Sequence, residues 1–153
     1  MGEEMTVEFP SSAWVIDPIN AFVGEVARGA GFDSDRAQDI QIAVHEAVIN
    51  AIVHGNGEDP SRRVRLRIAT SAGGLEVRVQ DQGRGFDPEA VPDPLATSNL
   101  CRPCGRGIFF MRLLMDDAAF RRAADGGSEV VLRKRREPAA GRLTAAAAAA
   151  SCA

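Results

Sequence analysis

The amino-acid sequence predicts an α+β fold, a two-layer sandwich in which helices cover one face of a mostly antiparallel sheet. Three observations support this prediction. The strand-like segments occur as one strand and two hairpins, with helical segments between them. Two of the strands alternate charged with apolar residues, as strands with one wet face do, and one helix carries an apolar stripe at helical spacing. The 153 residues are enough for one domain with a single core.

The predicted elements follow from local signals at their ends. Asp17-Pro18 suits the start of a helix, with Asp at the cap and Pro in the first turn. Asp33 or Ser34 can cap the helix that follows. In chain order we predict a strand over residues 5–9, helices from Asp17 to about Ala30 and from Asp33 or Ser34 to about Gly55, strands over residues 63–69 and 75–80, a helix over residues 108–115, and strands over residues 118–123 and 128–132.

The second of these helices is the central one, and it has two faces. Its apolar stripe consists of Ile40, Val44, Ala47, Val48 and Ala51. Its polar stripe, at strict four-residue steps, consists of Glu46, Asn50 and His54. A carboxylate and an amide are costly to bury without partners, so these side chains either form a solvated face or serve a ligand. We interpret His54 as a capping or packing residue, and His45, beside the buried stripe, as structural.

Charge and composition argue against several classes of protein. A formal net charge of −3 and a pI near 5.4 do not suit a general binder of nucleic acid or anionic membranes. The acidic N-terminus has no apolar signal core, and no apolar run reaches membrane-spanning length. We therefore expect a cytoplasmic protein with no direct nucleic-acid or membrane partner, and we interpret the basic residues 133–136 as solvated.

Two segments lack the periodicity of helices or strands. Residues 87–104 hold four prolines, and a loop of that length in a compact domain is often a lid. Cys101 and Cys104 lie there at C-x2-C spacing, but without the further ligands that a structural zinc site needs. Residues 137–153 include an alanine run and are predicted to be a low-complexity, disordered tail. We therefore expect one domain over residues 1–136.

Two glycine motifs could bring the backbone close to a ligand. Asp81-x-Gly83-x-Gly85 follows a predicted strand, where glycines allow a sharp turn and Asp81 can accept a hydrogen bond from an amino group. Gly105-x-Gly107 precedes a predicted helix, whose free N–H groups and dipole suit phosphate. Each motif alone is also compatible with an ordinary turn. Neither is a P-loop nor a Rossmann fingerprint, so a nucleotide would have to bind through another architecture.

Three motifs are more informative in combination, because they occur in a particular order along the chain. They are Glu46-x3-Asn50, Asp81-x-Gly83-x-Gly85 and Gly105-x-Gly107. Together they resemble the Bergerat ATP-binding fold of gyrase, Hsp90, histidine kinases and MutL proteins. The stretch from Glu46 to Gly55, and the one from Gly105 to Asp116, look most like bacterial anti-sigma factors of the serine-kinase branch. The resemblance runs from about residue 7 to residue 132.

The resemblance implies roles for these residues. Glu46 would be the general base that takes a proton from an attacking hydroxyl, and Asn50 would be a ligand of Mg²⁺. Asp81 would hold the adenine amino group. The glycines that would let the backbone close around ATP are Gly83, Gly85, Gly105 and Gly107. Arg102 and Arg106 flank the second glycine motif, and either could neutralise γ-phosphate charge.

The implied function is that of an ATP- and Mg²⁺-dependent protein serine/threonine kinase that regulates transcription. It would phosphorylate a STAS-type anti-sigma-factor antagonist and sequester a sigma factor, and a homodimer fits such kinases. One alternative is a non-catalytic, ATP-dependent switch that binds partners. Another is a detached histidine-kinase ATP domain. A complete histidine kinase is disfavoured because no helical hairpin with a substrate histidine precedes the motifs.

Overall fold

The fold prediction is confirmed by the computed structural model, which describes residues 2–85 and 106–136. Within these ranges an antiparallel five-stranded sheet is packed against three α-helices. The elements are β1 (Glu3–Pro10), α1 (Ile16–Gly29), α2 (Ser34–Ile49), a π-helical segment (Asn50–Gly55), β2 (Arg63–Ser71), β3 (Gly74–Gln80), α3 (Arg106–Leu114), β4 (Asp117–Arg122) and β5 (Ser128–Arg135). The predicted lid, residues 87–104, and the predicted tail, residues 137–153, lie outside the described residues.

The sheet has the strand order β1-β2-β3-β5-β4, and each neighbouring pair is antiparallel. The two predicted hairpins, β2–β3 and β4–β5, are both present. β5 lies inside the sheet, between β3 and β4, and runs three residues beyond the predicted end at Leu132. β4 therefore forms one edge of the sheet and β1 the other.

The two faces of the sheet differ as the alternation predicts. One face carries apolar residues such as Leu66 and Val77, which are buried under the helices. The other face carries ion pairs that cross between strands. The shortest of them join Glu8 to Arg65 (2.6 Å), Arg133 to Asp117 (2.6 Å), Arg133 to Glu76 (2.7 Å) and Glu129 to Arg121 (2.5 Å). The charged face is thus the outer surface of the domain.

Helix α2 lies in the middle of the helical layer, between α1 and α3. The predicted apolar stripe is confirmed, because every member is at most 5% exposed: Ile40, Val44, Ala47, Val48 and Ala51. These side chains join the core with the inner face of the sheet. The polar face of α2 that carries Glu46 is consequently turned toward neither the sheet nor its core, and it is available at the side of α3.

Two helix starts show how far local signals reach. Asp33 caps α2, since its Oδ1 accepts a hydrogen bond from the Arg36 backbone N–H at 2.9 Å. The prediction that Asp17 caps the first helix is wrong. α1 begins at Ile16, and Asp17 lies inside its first turn. A 3-10 turn over Ala13–Val15 leads directly into α1, so the chain is already helical before Asp17.

The central helix also differs from the prediction at its C-terminal end. It continues to Gly55 as expected, but α-helical geometry stops at Ile49 and a π-helical segment follows. The Asn56 backbone N–H donates to the Ala51 carbonyl at 2.8 Å, five residues back, which is the π pattern. Among the described residues, no helix is long and apolar enough to cross a bilayer.

Candidate nucleotide-binding site

The packing of α2 beside α3 brings two of the predicted motifs into contact. A Cβ atom placed on Gly107 would lie 2.8 Å from Glu46 Oε2 and 3.5 Å from Asn50 Nδ2. Gly107 is buried at the second position of α3, so no side chain there separates the helix start from the polar stripe of α2. Glu46, Asn50 and Gly107 therefore form one compact group.

The polar atoms of this group are available for a ligand. Glu46 and Asn50 are both half-buried. Neither side chain has a hydrogen bond or an ion pair with another residue in the described ranges 2–85 and 106–136. Neither side chain has a fully buried polar atom that lacks a partner in the described chain, so solvent reaches these atoms. A ligand with phosphate and hydroxyl groups can replace that solvent.

Asp81 is a buried acid at the end of β3, only 5% exposed. Its Oδ1 accepts backbone N–H hydrogen bonds from Gly83 at 2.9 Å and from Ser128 at 3.0 Å. These donors stabilise the carboxylate and fix its orientation. Within the described parts of the chain nothing donates to Oδ2, which leaves this oxygen available as a hydrogen-bond acceptor.

Three glycines make room for Asp81. A Cβ on Gly55 would collide with the Asp81 carboxylate and would lie 2.8 Å from Asp81 Cβ. A Cβ on Gly83 would collide with the Gly55 carbonyl, and one on Gly127 with the Asp81 carbonyl. Gly83 was predicted from its motif. Gly55 was predicted only as the end of the central helix, and Gly127 lies in the turn between the predicted strands over residues 118–123 and 128–132.

Asn56 is a buried residue, at 2% exposure, that no sequence motif marks. Its Nδ2 donates to Ser11 Oγ at 2.7 Å and to the Arg63 carbonyl at 3.0 Å. Its Oδ1 accepts from the Gln82 backbone N–H at 2.7 Å. Asn56 thus joins the end of the π-helical segment to Ser11 just after β1, to the start of β2 and to the residue after Asp81. The sequence predicted the end of the central helix at this point, but not these distant partners.

Gly85, the second glycine of the first motif, has a φ of +82°, a conformation that suits glycine. A Cβ there would lie 2.9 Å from Arg122 Nε and 3.1 Å from the Gly126 carbonyl oxygen. Arg122 Nη2 donates to the Arg84 carbonyl at 2.8 Å. The β4–β5 hairpin therefore contacts the motif at both ends, through Ser128 at Asp81 and through Arg122 at Gly85.

The remaining predicted residues are less constrained. His54, in the π-helical segment, is exposed. His45 is half-buried, and its Nδ1 is buried without a hydrogen-bond partner in the described chain. Arg106 is exposed at the first position of α3. The predicted residues that lie outside the described ranges are Cys101, Arg102, Cys104 and Gly105.

Comparison with known proteins decides the family. The histidine kinase-like ATPase domain family matches residues 9–134. The chain belongs to this family. Membership of an ATPase-domain family implies that the chain binds ATP.

Individual relatives of this ATPase-domain protein are named as kinases. The serine-protein kinase RsbW of Bacillus subtilis is 30% identical over 116 residues, which are 72% of this chain and 72% of the relative. The serine-protein kinase RsbW of Listeria monocytogenes is 29% identical over 123 residues, which are 76% of this chain and 78% of the relative. The predicted membership of the anti-sigma, serine-kinase branch of the Bergerat-fold proteins is thereby confirmed.

A solved structure shares the fold of this ATPase domain. It contains the RsbU and RsbW domains of Rv1364c from Mycobacterium tuberculosis, and it matches with a TM-score of 0.64 at 19% identity over 89% of the present chain. The present chain spans 33% of that longer protein. At this identity the likeness concerns the fold alone.

Among the described residues, no group of three or more His, Cys, Asp and Glu side chains could hold a metal ion. Asn50 is therefore considered as a single protein ligand. Mg²⁺ commonly takes only one or two protein ligands and completes its shell with water and substrate phosphates. The half-buried, unpartnered amide of Asn50 beside Gly107 fits that kind of site.

Proposed function

We propose that this protein is an ATP-dependent serine/threonine kinase that acts as an anti-sigma regulatory factor in the cytoplasm. It phosphorylates a STAS-type anti-sigma-factor antagonist and, in alternation, sequesters a sigma factor. The observation that carries the proposal is the approach of Gly107 to Glu46 and Asn50, whose polar atoms have no partner in the described chain. Relatives named serine-protein kinases support it.

In this proposal the base of ATP is recognised at Asp81. The free Oδ2 accepts a hydrogen bond from the adenine amino group, while Oδ1 stays bound to the two backbone N–H groups. The backbone at Gly83, Gly85, Gly105 and Gly107 closes around the nucleotide. Gly107 lies in the first turn of α3, where free N–H groups and the helix dipole favour phosphate.

Asn50 is the proposed protein ligand of Mg²⁺, through its side-chain oxygen. The ion, when bound, supplies positive charge to the phosphates. Arg106, exposed at the start of α3, and Arg102 are the candidates for additional charge neutralisation at the γ-phosphate.

Glu46 is the proposed general base. A serine or threonine hydroxyl of the antagonist gives its proton to the Glu46 carboxylate as its oxygen forms a bond to the γ-phosphorus. The bond between that phosphorus and the bridging oxygen breaks, and ADP leaves. Glu46 lies one helical turn from Asn50 and against Gly107, so the base and the phosphate site are on the same side of α2.

The test is incubation with Mg²⁺, γ-labelled ATP and purified STAS-type proteins from the same organism. Glu46→Gln, which keeps the size of the side chain, should lower phosphate transfer by about 10²- to 10⁴-fold while ATP still binds. Asn50→Ala should lower both transfer and Mg²⁺-dependent ATP binding. The matched control is Gln38→Ala, an exposed position on the same helix that should leave transfer unchanged.

Each outcome separates the alternatives. Acid-stable label on one antagonist, lost in Glu46→Gln, supports the kinase, whereas acid-labile label indicates transfer to histidine. ATP binding without any labelled protein favours a non-catalytic switch, and sigma-factor capture that responds to nucleotide would then be its readout. Absence of ATP binding by the wild-type protein contradicts the proposal altogether.

A further inference from the structure

Arg122 contacts the Asp81–Gly85 segment, although no motif includes it. It is the last residue of the edge strand β4, and its guanidinium donates from Nη2 to the Arg84 carbonyl at 2.8 Å. Its Nε lies 2.9 Å from the position that a Cβ on Gly85 would take. The side chain therefore packs directly against the backbone where the first glycine motif ends.

The two ends of this segment are held differently. At Asp81 the chain is fixed by two backbone N–H donors to Oδ1 and by its own N–H, which donates to the Ser128 carbonyl at 3.0 Å. At Arg84 and Gly85 the hydrogen bond from Arg122 is the only one that the described residues make to the backbone. The conformation of the second end therefore depends on a single side chain.

The hydrogen bond from Arg122 also matters because the backbone of Gly85 is conformationally free. Its φ of +82° is one of several conformations that glycine adopts at similar energy. Arg122 and the Gly126 carbonyl both pack closely against Gly85, on the side where a Cβ would lie. A charge-assisted hydrogen bond to a carbonyl is strong enough to select one of these conformations.

We propose that Arg122 is a positioning residue for nucleotide recognition, which fixes the Arg84–Gly85 backbone so that the Asp81–Gly85 segment keeps the shape that accepts adenine. This inference rests on the proposed function of Asp81. It assigns Arg122 no contact with the phosphates and no part in the transfer of the phosphoryl group.

The neighbouring Arg121 provides a matched control. Strand residues alternate between faces, so Arg121 lies on the outer, charged face of β4, where its Nε pairs with Glu129 at 2.5 Å. Arg121→Ala removes the same kind of side chain from the same strand without touching the glycine motif. Arg122→Lys keeps a cationic donor with less reach and tests whether the hydrogen bond is what matters.

The experiment measures ATP and GTP dissociation constants for the wild-type protein and the three variants, with thermal stability alongside. Arg122→Ala should weaken ATP binding about five- to twentyfold and reduce the preference for ATP over GTP, an effect at the low end for a charge-assisted hydrogen bond because Arg122 is exposed to solvent. Arg122→Lys should recover part of both, and Arg121→Ala should change neither. In a kinase assay, the KM for ATP should rise in Arg122→Ala while kcat stays the same.

Two results would overturn the inference, and they differ from the failure of the proposed function. Wild-type ATP binding with an unchanged affinity in Arg122→Ala excludes a positioning role for Arg122 alone. An equal loss of ATP and GTP binding together with lowered thermal stability shows a merely structural role. Wild-type protein that binds no ATP contradicts both the proposed function and this inference.

Discussion

Replacing Gly55 with alanine should damage the nucleotide site through Asp81. The new Cβ would lie 2.8 Å from Asp81 Cβ and closer still to its carboxylate, whereas carbon atoms in contact stay about 3.5–4.0 Å apart. Either Asp81 or the π-helical segment must therefore move by roughly 0.7–1.2 Å. Since Gly55 has no positive φ, the effect comes from this collision and not from backbone strain.

The size of the effect follows from the bonds that Asp81 makes. A shift of that size stretches the hydrogen bonds from the Gly83 and Ser128 N–H groups, now 2.9 and 3.0 Å long, beyond bonding distance. Losing one charge-assisted bond costs about 1.5–3 kcal/mol, and losing both costs about 3–6 kcal/mol. We expect Gly55→Ala to lower the free energy of unfolding by about 1.5–6 kcal/mol. ATP binding should weaken at least about tenfold.

The assay is urea unfolding together with calorimetric titration of ATP. Gly29→Ala is the control, because no atom lies within 4 Å of a Cβ at that helix end. It should leave ATP affinity unchanged and keep or raise stability by about 0.5–1 kcal/mol. A Gly55→Ala protein that is as stable as the wild type and binds ATP equally well would refute the packing argument.

Two further predictions concern stability. Asn56→Ala removes three hydrogen bonds from a buried side chain, so it should lower the free energy of unfolding by about 2–4 kcal/mol in urea titrations; an unchanged midpoint would contradict its role as a junction. At Glu76, burial alone would raise the pKa, but hydrogen bonds from Arg78 and Arg133 outweigh it and hold the pKa below the ordinary 4.5. A lowered pKa stabilises the fold above about pH 4.5 and loses this effect as pH falls through the folded-state pKa. Glu76→Gln should therefore cost up to about 1 kcal/mol at pH 7 and progressively less as the pH falls below 4.5, and a cost that does not change with pH would rule out the carboxylate as the cause.

The fold was predictable where a local pattern determines it. Charged–apolar alternation predicted β2 and β3 because one face of each strand meets water and the other meets the core. The spacing of Ile40, Val44 and their neighbours predicted the buried face of α2, and Asp33 marked its start. These signals act within a few residues, so no distant part of the chain is needed to interpret them.

The strand order and the π-helical segment were beyond local patterns. Nothing within residues 128–135 says that β5, and not β4, lies beside β3; that choice depends on which strand can bury residues such as Val131 and Leu132 on both faces. The π-helical turn forms where Asn56 is anchored to Ser11 and Gln82, and these partners lie 45 and 26 residues away in the sequence.

The candidate site divides in the same way. Motifs predicted Glu46, Asn50, Asp81 and the described glycines of the two glycine motifs as site residues, and the structure brings Glu46 and Asn50 against Gly107. Motifs did not reveal what shapes the surroundings of Asp81. Its restraints come from backbone donors and close packing, which depend on conformation and leave little trace in residue type.

The restraints on Asp81 also tie the site to the folding equilibrium. Gln82 is held by Asn56, 26 positions earlier, and Asp81 by Ser128, 47 positions later. No fragment that lacks either region contains the complete site, so a nucleotide would bind the assembled domain and not the unfolded chain. Such a ligand at about 100 times its Kd adds about 2.7 kcal/mol to stability by mass action. On the proposed function, the supply of ATP thus sets the equilibrium fraction of the domain that is unfolded, and not only the fraction of sites that are filled.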